Sequence, residues 1–350
     1  MEKSFVFPSV LEENYRDFEK VADEFLDGIR ITGLNGKDYI VGNLALKEGL
    51  SPHKFLNSSP DDADYQLLGL TGLLTATQGT YSNLIVTTGF PFTTYQPFKS
   101  AAADFFKGNH QINFDSRTLG SRGVEKVDFS IPEVDVMTEI EGSVKYIRNG
   151  EIKDNGNFII ASIGYGTFEI ALSQPGGLVY RTAHSSSGII YAIKLLENEL
   201  QKKYYINILT DQQLERAFQR GSILIKRKRV DLTEIRDKVL ESYYNEVISP
   251  SIRRNILDED FYDVDKIYLV GGGSLYQKIV ELFNKEFEDV LKVEVVPSPN
   301  LSASKGYCIH SLELAKAKMG DLGLENKSSF TCVGLDLGNN NTVVTVNNDF

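Results

Sequence analysis

Two kinds of apolar pattern take turns along this chain. Short unbroken runs suit buried strands, and i, i+3, i+4 spacings suit helices that face a core. Residues 4–10 (SFVFPSV) predict a strand ended by Pro8, and residues 39–41 another, followed by Gly42-Asn43-Leu44-Ala45. Between them, residues 12–29 have helical spacing. Residues 65–78 predict a helix, 83–88 (NLIVTT) a buried strand running into Gly89-Phe90-Pro91, and 96–106 a helix stopped at Gly108-Asn109. A strand over 127–131 and a helix over 136–148 complete the first half. Residues 158–163 (FIIASI) and 168–172 then predict a strand, a turn and a strand. Helices follow over 187–203, 210–220 and 231–248. A buried strand over 266–270 ends in Gly271-Gly272-Gly273-Ser274, with helices over 275–287 and 303–319 beyond it. A second strand-turn-strand unit comes last: strands over 331–335 and 342–346, joined by the polar turn 336–341. Strands alternating with helices indicate an α/β protein, and the two similar units hint at a duplicated fold.

Composition narrows the class. A chain of 350 residues, 41% of them hydrophobic, can bury a large core and is expected to form two lobes. A net charge of -11 argues against direct nucleic-acid binding, so any contact with DNA is expected to go through a partner. The one basic cluster, Lys226-Arg227-Lys228-Arg229, reads as a solvated turn. Cys308 and Cys332 lie in apolar surroundings, which suits buried thiols in a reducing cytoplasm. The start MEKSFVFPSV has no signal-peptide core, and no run of eighteen apolar residues occurs, so no membrane association is expected. The four histidines, His53, His110, His184 and His310, lack metal-ligand spacing, and no Ser/His/Asp arrangement is visible.

Three segments carry candidate phosphate chemistry. In residues 331–350 (TCVGLDLGNNNTVVTVNNDF), a carboxylate at a strand end, Asp336, can hold a hydrated metal. The turn Gly338-Asn339-Asn340-Asn341 brings backbone N–H groups and short side chains onto an anion. The second unit offers Gly164-Tyr165-Gly166-Thr167, whose glycines let the backbone approach a phosphate. The third, Gly271-Gly272-Gly273-Ser274 between a strand and a helix, places N–H groups where an anion or nucleoside can lie.

Together these motifs resemble the actin-like ATPase superfamily, with its two-lobed, ribonuclease-H-like fold and a nucleotide cleft between the lobes. Phe7-Pro8-Ser9, residues 39–45 (YIVGNLA), Thr88-Gly89-Phe90-Pro91-Phe92 and residues 297–307 (PSPNLSASKGY) favour the bacterial, phage and archaeal actin-like proteins of the plasmid-segregation (ParM) type. The resemblance covers nearly the whole chain when it is read as 331–350 followed by 1–320, as if permuted by one hairpin with its turn at Asn347-Asn348-Asp349. It implies lobe I from residues 1–150 and 303–350, lobe II from 151–302, and a linker over 320–330. It also implies that Asp336 holds Mg2+ through water, that Gly338 to Asn341 cradle the β- and γ-phosphates of ATP or GTP, and that Gly164 to Thr167 close over them. Gly271, Gly272, Gly273 and Ser274 would pack under ribose and base, with Gly188 and Glu215 near the nucleoside. Glu139 aligns with the residue that orients the attacking water. In two places the chain departs from the pattern. Ser162 stands where the family usually has aspartate, which weakens metal positioning, and Val343 where many actins have a phosphate-binding lysine.

The resemblance leads to a filament-forming, slow ATPase or GTPase that polymerises with itself and positions DNA or another cargo through an adaptor. Two alternatives stay open: a monomeric sugar or acyl kinase of the same superfold, and a structural filament with little turnover. The hairpin could dock in its own chain or swap into a neighbour, and the permutation could be natural or engineered.

Overall fold

The computed structural model describes residues 2–55, 59–80, 82–121, 123–204, 210–318 and 330–348. The expected linker at 320–330, apart from Phe330, and the expected turn residue Asp349 lie outside them. The chain divides into two compact units, Met1–Asp154 with Leu301–Phe350, and Asn155–Asn300.

The first unit is built on a ten-stranded sheet. Its order is Glu2–Pro8, Asn341–Asn347, Phe330–Leu337, Ser82–Phe90, Val124–Thr138, Gly108–Asp115, Arg30–Thr32, Asp38–Val41, Val10–Glu13, His53–Lys54. The hairpin formed by Phe330–Leu337 and Asn341–Asn347 is therefore interior and docks in its own chain. On one side Glu2 to Pro8 pair antiparallel with Asn347 to Asn341, and on the other Phe330 to Leu335 pair parallel with Asn83 to Thr88. The apolar runs of these strands are continuous because both faces are covered. Leu84, Val86, Val333, Leu335 and Val344 join the main core with the helix Ala63–Thr77, while Ile85, Cys332 and Ala315 of the helix Ser302–Ala317 cluster on the opposite face.

Small polar side chains on one stripe of Ser302–Ala317 hold the hairpin. Ser304 Oγ is 2.6 Å from Thr345 Oγ1, Cys308 Sγ–H donates to Cys332 O, and Ser311 Oγ donates to Val333 O at 2.9 Å. The helix comes this close only because residue 334 is glycine: a Cβ there would lie 1.9 Å from Ser304 O. Both cysteines are buried free thiols, and burial pushes Cys332 up to about 12.

Two expectations are corrected here. Residues 12–29 do not form a helix: Val10–Glu13 is a strand, and only Phe25–Asp27 makes a single 3-10 turn. Phe18 and Ala22 are buried at helical spacing, but the N–H groups of Lys20, Val21 and Ala22 donate to Arg117 O and Thr118 O instead of back along the segment. The strand expected over 127–131 runs from Val124 to Thr138, so the following helix starts at Glu139. Thr138 and Glu141 form a capping box that fixes that start.

The second unit has a six-stranded sheet in the order Gly177–Leu178, Thr167–Gln174, Phe158–Ile163, Lys266–Val270, Lys292–Val295, with His184–Ser187 also paired to Thr167–Gln174. Helices including Ile190–Tyr204, Asp211–Arg220, Thr233–Tyr243 and Gln277–Phe287 close its core. The helix expected over 231–248 continues through a π turn at Tyr244–Ile248 into Ser249–Asn255. The basic cluster forms the tip of the hairpin Ser222–Ile225 and Lys228–Asp231, where Lys226 and Arg227 have φ of 47° and 66°.

A buried ion network ties the far strands of the first unit. Arg30, whose side chain is 4% exposed, lies 2.7 Å from Asp115 and 3.2 Å from Asp38, and Arg117 also lies 2.7 Å from Asp115. The Arg117 guanidinium, with Arg30 behind it, holds the Asp115 carboxyl below the usual carboxylate range. Asp115→Ala leaves Arg30 buried without this partner, so urea titration should show a loss of about 3–5 kcal/mol. A depressed pKa stabilises the fold above the ordinary value of about 4, so this contribution should fade as pH falls below about 4 toward the folded-state pKa.

Candidate functional site

In the first unit, Phe330–Leu337, Ser82–Phe90 and Val124–Thr138 run parallel, so their carboxyl ends share one edge of the sheet, the side where open α/β sheets bind ligands. Leu335 pairs with Thr88, and Thr88 with Val136. Asp336 thus emerges at this edge, and Glu139 just beyond Thr138, separated laterally by two strand spacings, about 10 Å. Asp336 lies directly opposite Val343 in the hairpin and is partly exposed; desolvation raises its carboxyl to about 7. Among the described residues no group of three or more His, Cys, Asp or Glu could cage a metal. A lone carboxylate beside a polyphosphate suits Mg2+, which keeps much of its water shell and takes few protein ligands.

The turn after Asp336 is fixed from behind. Ser9, fully buried, donates from Oγ to Gly338 O at 2.6 Å and from its backbone N–H to Asn340 O at 3.1 Å, while Oγ also meets Thr342 Oγ1 at 3.0 Å. Lys54 Nζ donates to Asn340 Oδ1 at 3.2 Å.

The second unit repeats the device. The hairpin turn closes with Gly164 N–H donating to Thr167 O at 2.8 Å, and the carbonyls of Gly166, Gly164 and Tyr165 accept from Gly188, Ile189 and Ile190 N–H, each at 3.0 Å. The N–H groups that open the helix Ile190–Tyr204 are therefore spent on this turn. Gly188 sits behind the turn, where a Cβ would come 2.5 Å from Gly164 O. The Tyr165 hydroxyl donates to Glu215, which is buried in the helix Asp211–Arg220; burial, then Glu215, raises the Tyr165 pKa.

The loop after Lys266–Val270 packs on the strand that leads into this turn. Gly271 has φ of 82°, its N–H donates to Pro299 O at 2.8 Å, and a Cβ would lie 2.6 Å from Ile163 O. Ser274 Oγ donates to Gly271 O at 2.7 Å, whereas a Cβ on Gly272 would meet open space. Gly272–Leu275 makes a 3-10 turn, so the helix expected from 275 begins at Gln277: the Ser274 and Tyr276 N–H groups bond three residues back, to Gly271 and Gly273.

Of the expected site residues, the structure brings Asp336 and Gly338 to Asn341 together in the first unit, with Glu139 along the same sheet edge. In the second it gathers Gly164 to Thr167, Gly188, Glu215 and Gly271 to Ser274. Sequence reasoning missed four further residues. Ser9 and Lys54 hold the first turn. Tyr276 lies beneath the Arg236 guanidinium, 5.7 Å away, and edge-on to Phe218. Glu169, 1% exposed, stands directly across the ladder from Ser162. The only local signals were a serine after Phe7-Pro8 and a carboxylate two residues past the second turn.

Residues 2–142 match the family model described as the actin like proteins N terminal domain. Solved structures with similar folds include an archaeal actin homolog, Ta0583, in complex with ADP (TM-score 0.68, 17% identity, 88% of this chain and 92% of that chain). A 15-stranded ParM filament from Clostridium botulinum matches with TM-score 0.69 and 18% identity over 88% of this chain and 92% of that one. The actin-like protein Alp7A matches with TM-score 0.67 and 17% identity over 91% and 93%. No curated protein matches the chain. At these identities the likeness establishes the fold: a mixed α/β, actin-like architecture.

Ser9→Ala removes the donor to Gly338 O and the partner of the buried Thr342 hydroxyl, and should cost about 1–3 kcal/mol. Amide exchange at residues 338–342 should quicken by more than at residues 164–167, measured by hydrogen exchange and mass spectrometry.

Proposed function

Given an actin-like fold with an actin-like N-terminal domain, we propose that this chain binds ATP or GTP with Mg2+ and polymerises into filaments. The observation that carries this reading is the paired construction of the turns at 338–341 and 164–167. In each, carbonyls are held from behind by Ser9 or by the amides of 188–190, a geometry that favours presenting backbone N–H groups to phosphate. Glu215, Tyr276 and the 271–274 loop suit a nucleoside, since they combine an aromatic ring, a buried carboxylate and a glycine with open space above it.

Mg2+, held through water by Asp336, would supply charge neutralisation at the β- and γ-phosphates. Glu139, at the same sheet edge, orients the attacking water. Filament formation is supported by the likeness to a ParM filament, and nucleotide binding by the likeness to an actin homolog crystallised with ADP. The charge of -11 favours cargo recruitment through an adaptor over direct DNA contact, and we place the protein in the cytoplasm. No helix among the described residues is long and apolar enough to cross a membrane. Ser162 also favours a second reading, a nucleotide-regulated filament with little turnover.

Light scattering and pelleting with Mg2+ and ATP or GTP should rise over the nucleotide-free protein, and Asp336→Ala should abolish the rise. Absence of assembly with either nucleotide would sink the filament reading, and assembly without phosphate release would select the low-turnover one.

We further propose that the chain is a circular permutation of the actin-like order, with its first phosphate hairpin moved behind the helix Ser302–Ala317. A reordered gene placing residues 330–348 before residues 2–318 should yield a protein with the same melting temperature, within a few degrees, and the same nucleotide response. An insoluble or non-binding product would overturn this.

A further inference from the structure

We propose that the basic hairpin of the second unit docks on an acidic face of another copy of this chain, making a head-to-tail contact. The inference rests on the filament reading and adds a contact to it. The hairpin Ser222–Ile225 and Lys228–Asp231 is anchored from below. Ile223 and Val230, opposite each other in the ladder, pack against the core of the unit, and Leu232 N–H donates to Gly221 O at 2.8 Å to close the base. Strand alternation turns the next pair, Leu224 and Arg229, to solvent, and Leu224 is 68% exposed. Lys226, Arg227, Lys228 and Arg229 are all exposed, and none takes part in an ion pair among the described residues. Lys226 and Arg227 also hold the two turn positions with φ of 47° and 66°, where glycine or asparagine is less strained. A chain of net charge -11 that keeps four adjacent cations on a strained tip, beside an exposed leucine, departs from what folding alone favours. Such departures concentrate at functional sites.

The opposite charge lies in residues 257–265 (LDEDFYDVD). Asp260 turns inward, where its carboxylate accepts from Arg181 Nη1 at 3.0 Å and from Leu257 N–H at 2.9 Å. That anchor leaves Asp258, Glu259, Asp263 and Asp265 exposed, with Leu257 48% and Tyr262 87% exposed among them. Carboxylates interleaved with two apolar side chains complement cations beside a leucine.

The two patches sit at opposite ends of the same unit. The acidic segment leads directly into the strand Lys266–Val270, so it lies at the amino end of that strand. The hairpin belongs to the carboxyl end: the helix Asp211–Arg220 that feeds it packs Phe218 edge-on to Tyr276, just past the 271–274 loop, and Arg236 Nη1 donates to Phe218 O at 3.2 Å. The length of the five-residue strand, about 16 Å, lies between them. The patches therefore meet only between copies, and a heterologous contact of this kind propagates from one copy to the next.

Charge reversal tests the pairing. Pelleting with Mg2+ and ATP or GTP should be measured for the full chain, for a hairpin variant (Lys226→Glu, Arg227→Glu, Lys228→Glu) and for an acidic-face variant (Asp258→Lys, Glu259→Lys, Asp263→Lys). Each variant alone should stay in the supernatant at concentrations where the wild type pellets, because like charges then face each other. An equimolar mixture of the two should pellet, since each reversed patch meets its complement on the other variant. Melting temperatures show whether the variants fold. If a reversal unfolds the chain, the neutral variant Lys226→Gln, Arg227→Gln decides: its critical concentration for assembly should rise by about tenfold. A reversed variant that pellets like the wild type, a mixture of folded variants that stays in the supernatant, or an unchanged critical concentration in the neutral variant would each overturn the contact and leave the filament reading standing. A wild-type chain that assembles with neither nucleotide would overturn both.

Discussion

The first unit depends on one strand being in the middle of its sheet. Phe330–Leu337 joins Asn341–Asn347 on one side to the parallel strand Ser82–Phe90 on the other. Without it, the pair Glu2–Pro8 and Asn341–Asn347 would be cut off from the rest of the sheet and Ser82–Phe90 would be an open edge of apolar side chains. The helix Ser302–Ala317 is adapted to the same strand: Cys308 and Ser311 donate to its carbonyls, Ser304 at the same helical spacing meets Thr345 of the adjoining strand, and Gly334 yields the space they need. Hydrophobic burial on one face and short polar contacts on the other therefore converge on eight residues.

Those eight residues also carry Asp336, so the constraint that organises the core positions the candidate chemistry. Each unit then treats its turn in the same way, capturing carbonyl oxygens from behind, once with a serine and once with the opening of a helix. A loop whose peptide planes are set in advance loses less entropy when a ligand arrives, which is where much of the cost of binding a small anion lies.

The fold was legible in the sequence wherever an element is decided locally. The runs at 158–163, 266–270 and 331–335 are apolar because both sheet faces are covered, and their turns carry the glycines and asparagines that such turns require. The failure at 12–29 has a physical cause: Phe18 and Ala22 imitate a helical stripe, but their segment gives its N–H groups to Arg117 and Thr118. Ser9 and Lys54 were out of reach for a related reason. Their partners at 338 and 340 lie some three hundred residues away, and nothing in the local sequence announces such a pairing. Glu169 was hidden differently, since only the strand register shows that it faces Ser162.

The hairpin's ladder partners at 2–8 and 83–88 lie in a distant part of the chain, so its docking is an association reaction that happens to be intramolecular. Its strength is governed by the effective concentration that belonging to the same chain imposes. A second copy of the hairpin, offering the same hydrogen bonds, competes only when free chains approach that concentration. Dilute protein should keep its own hairpin, and dense assemblies are where molecules would begin to exchange them.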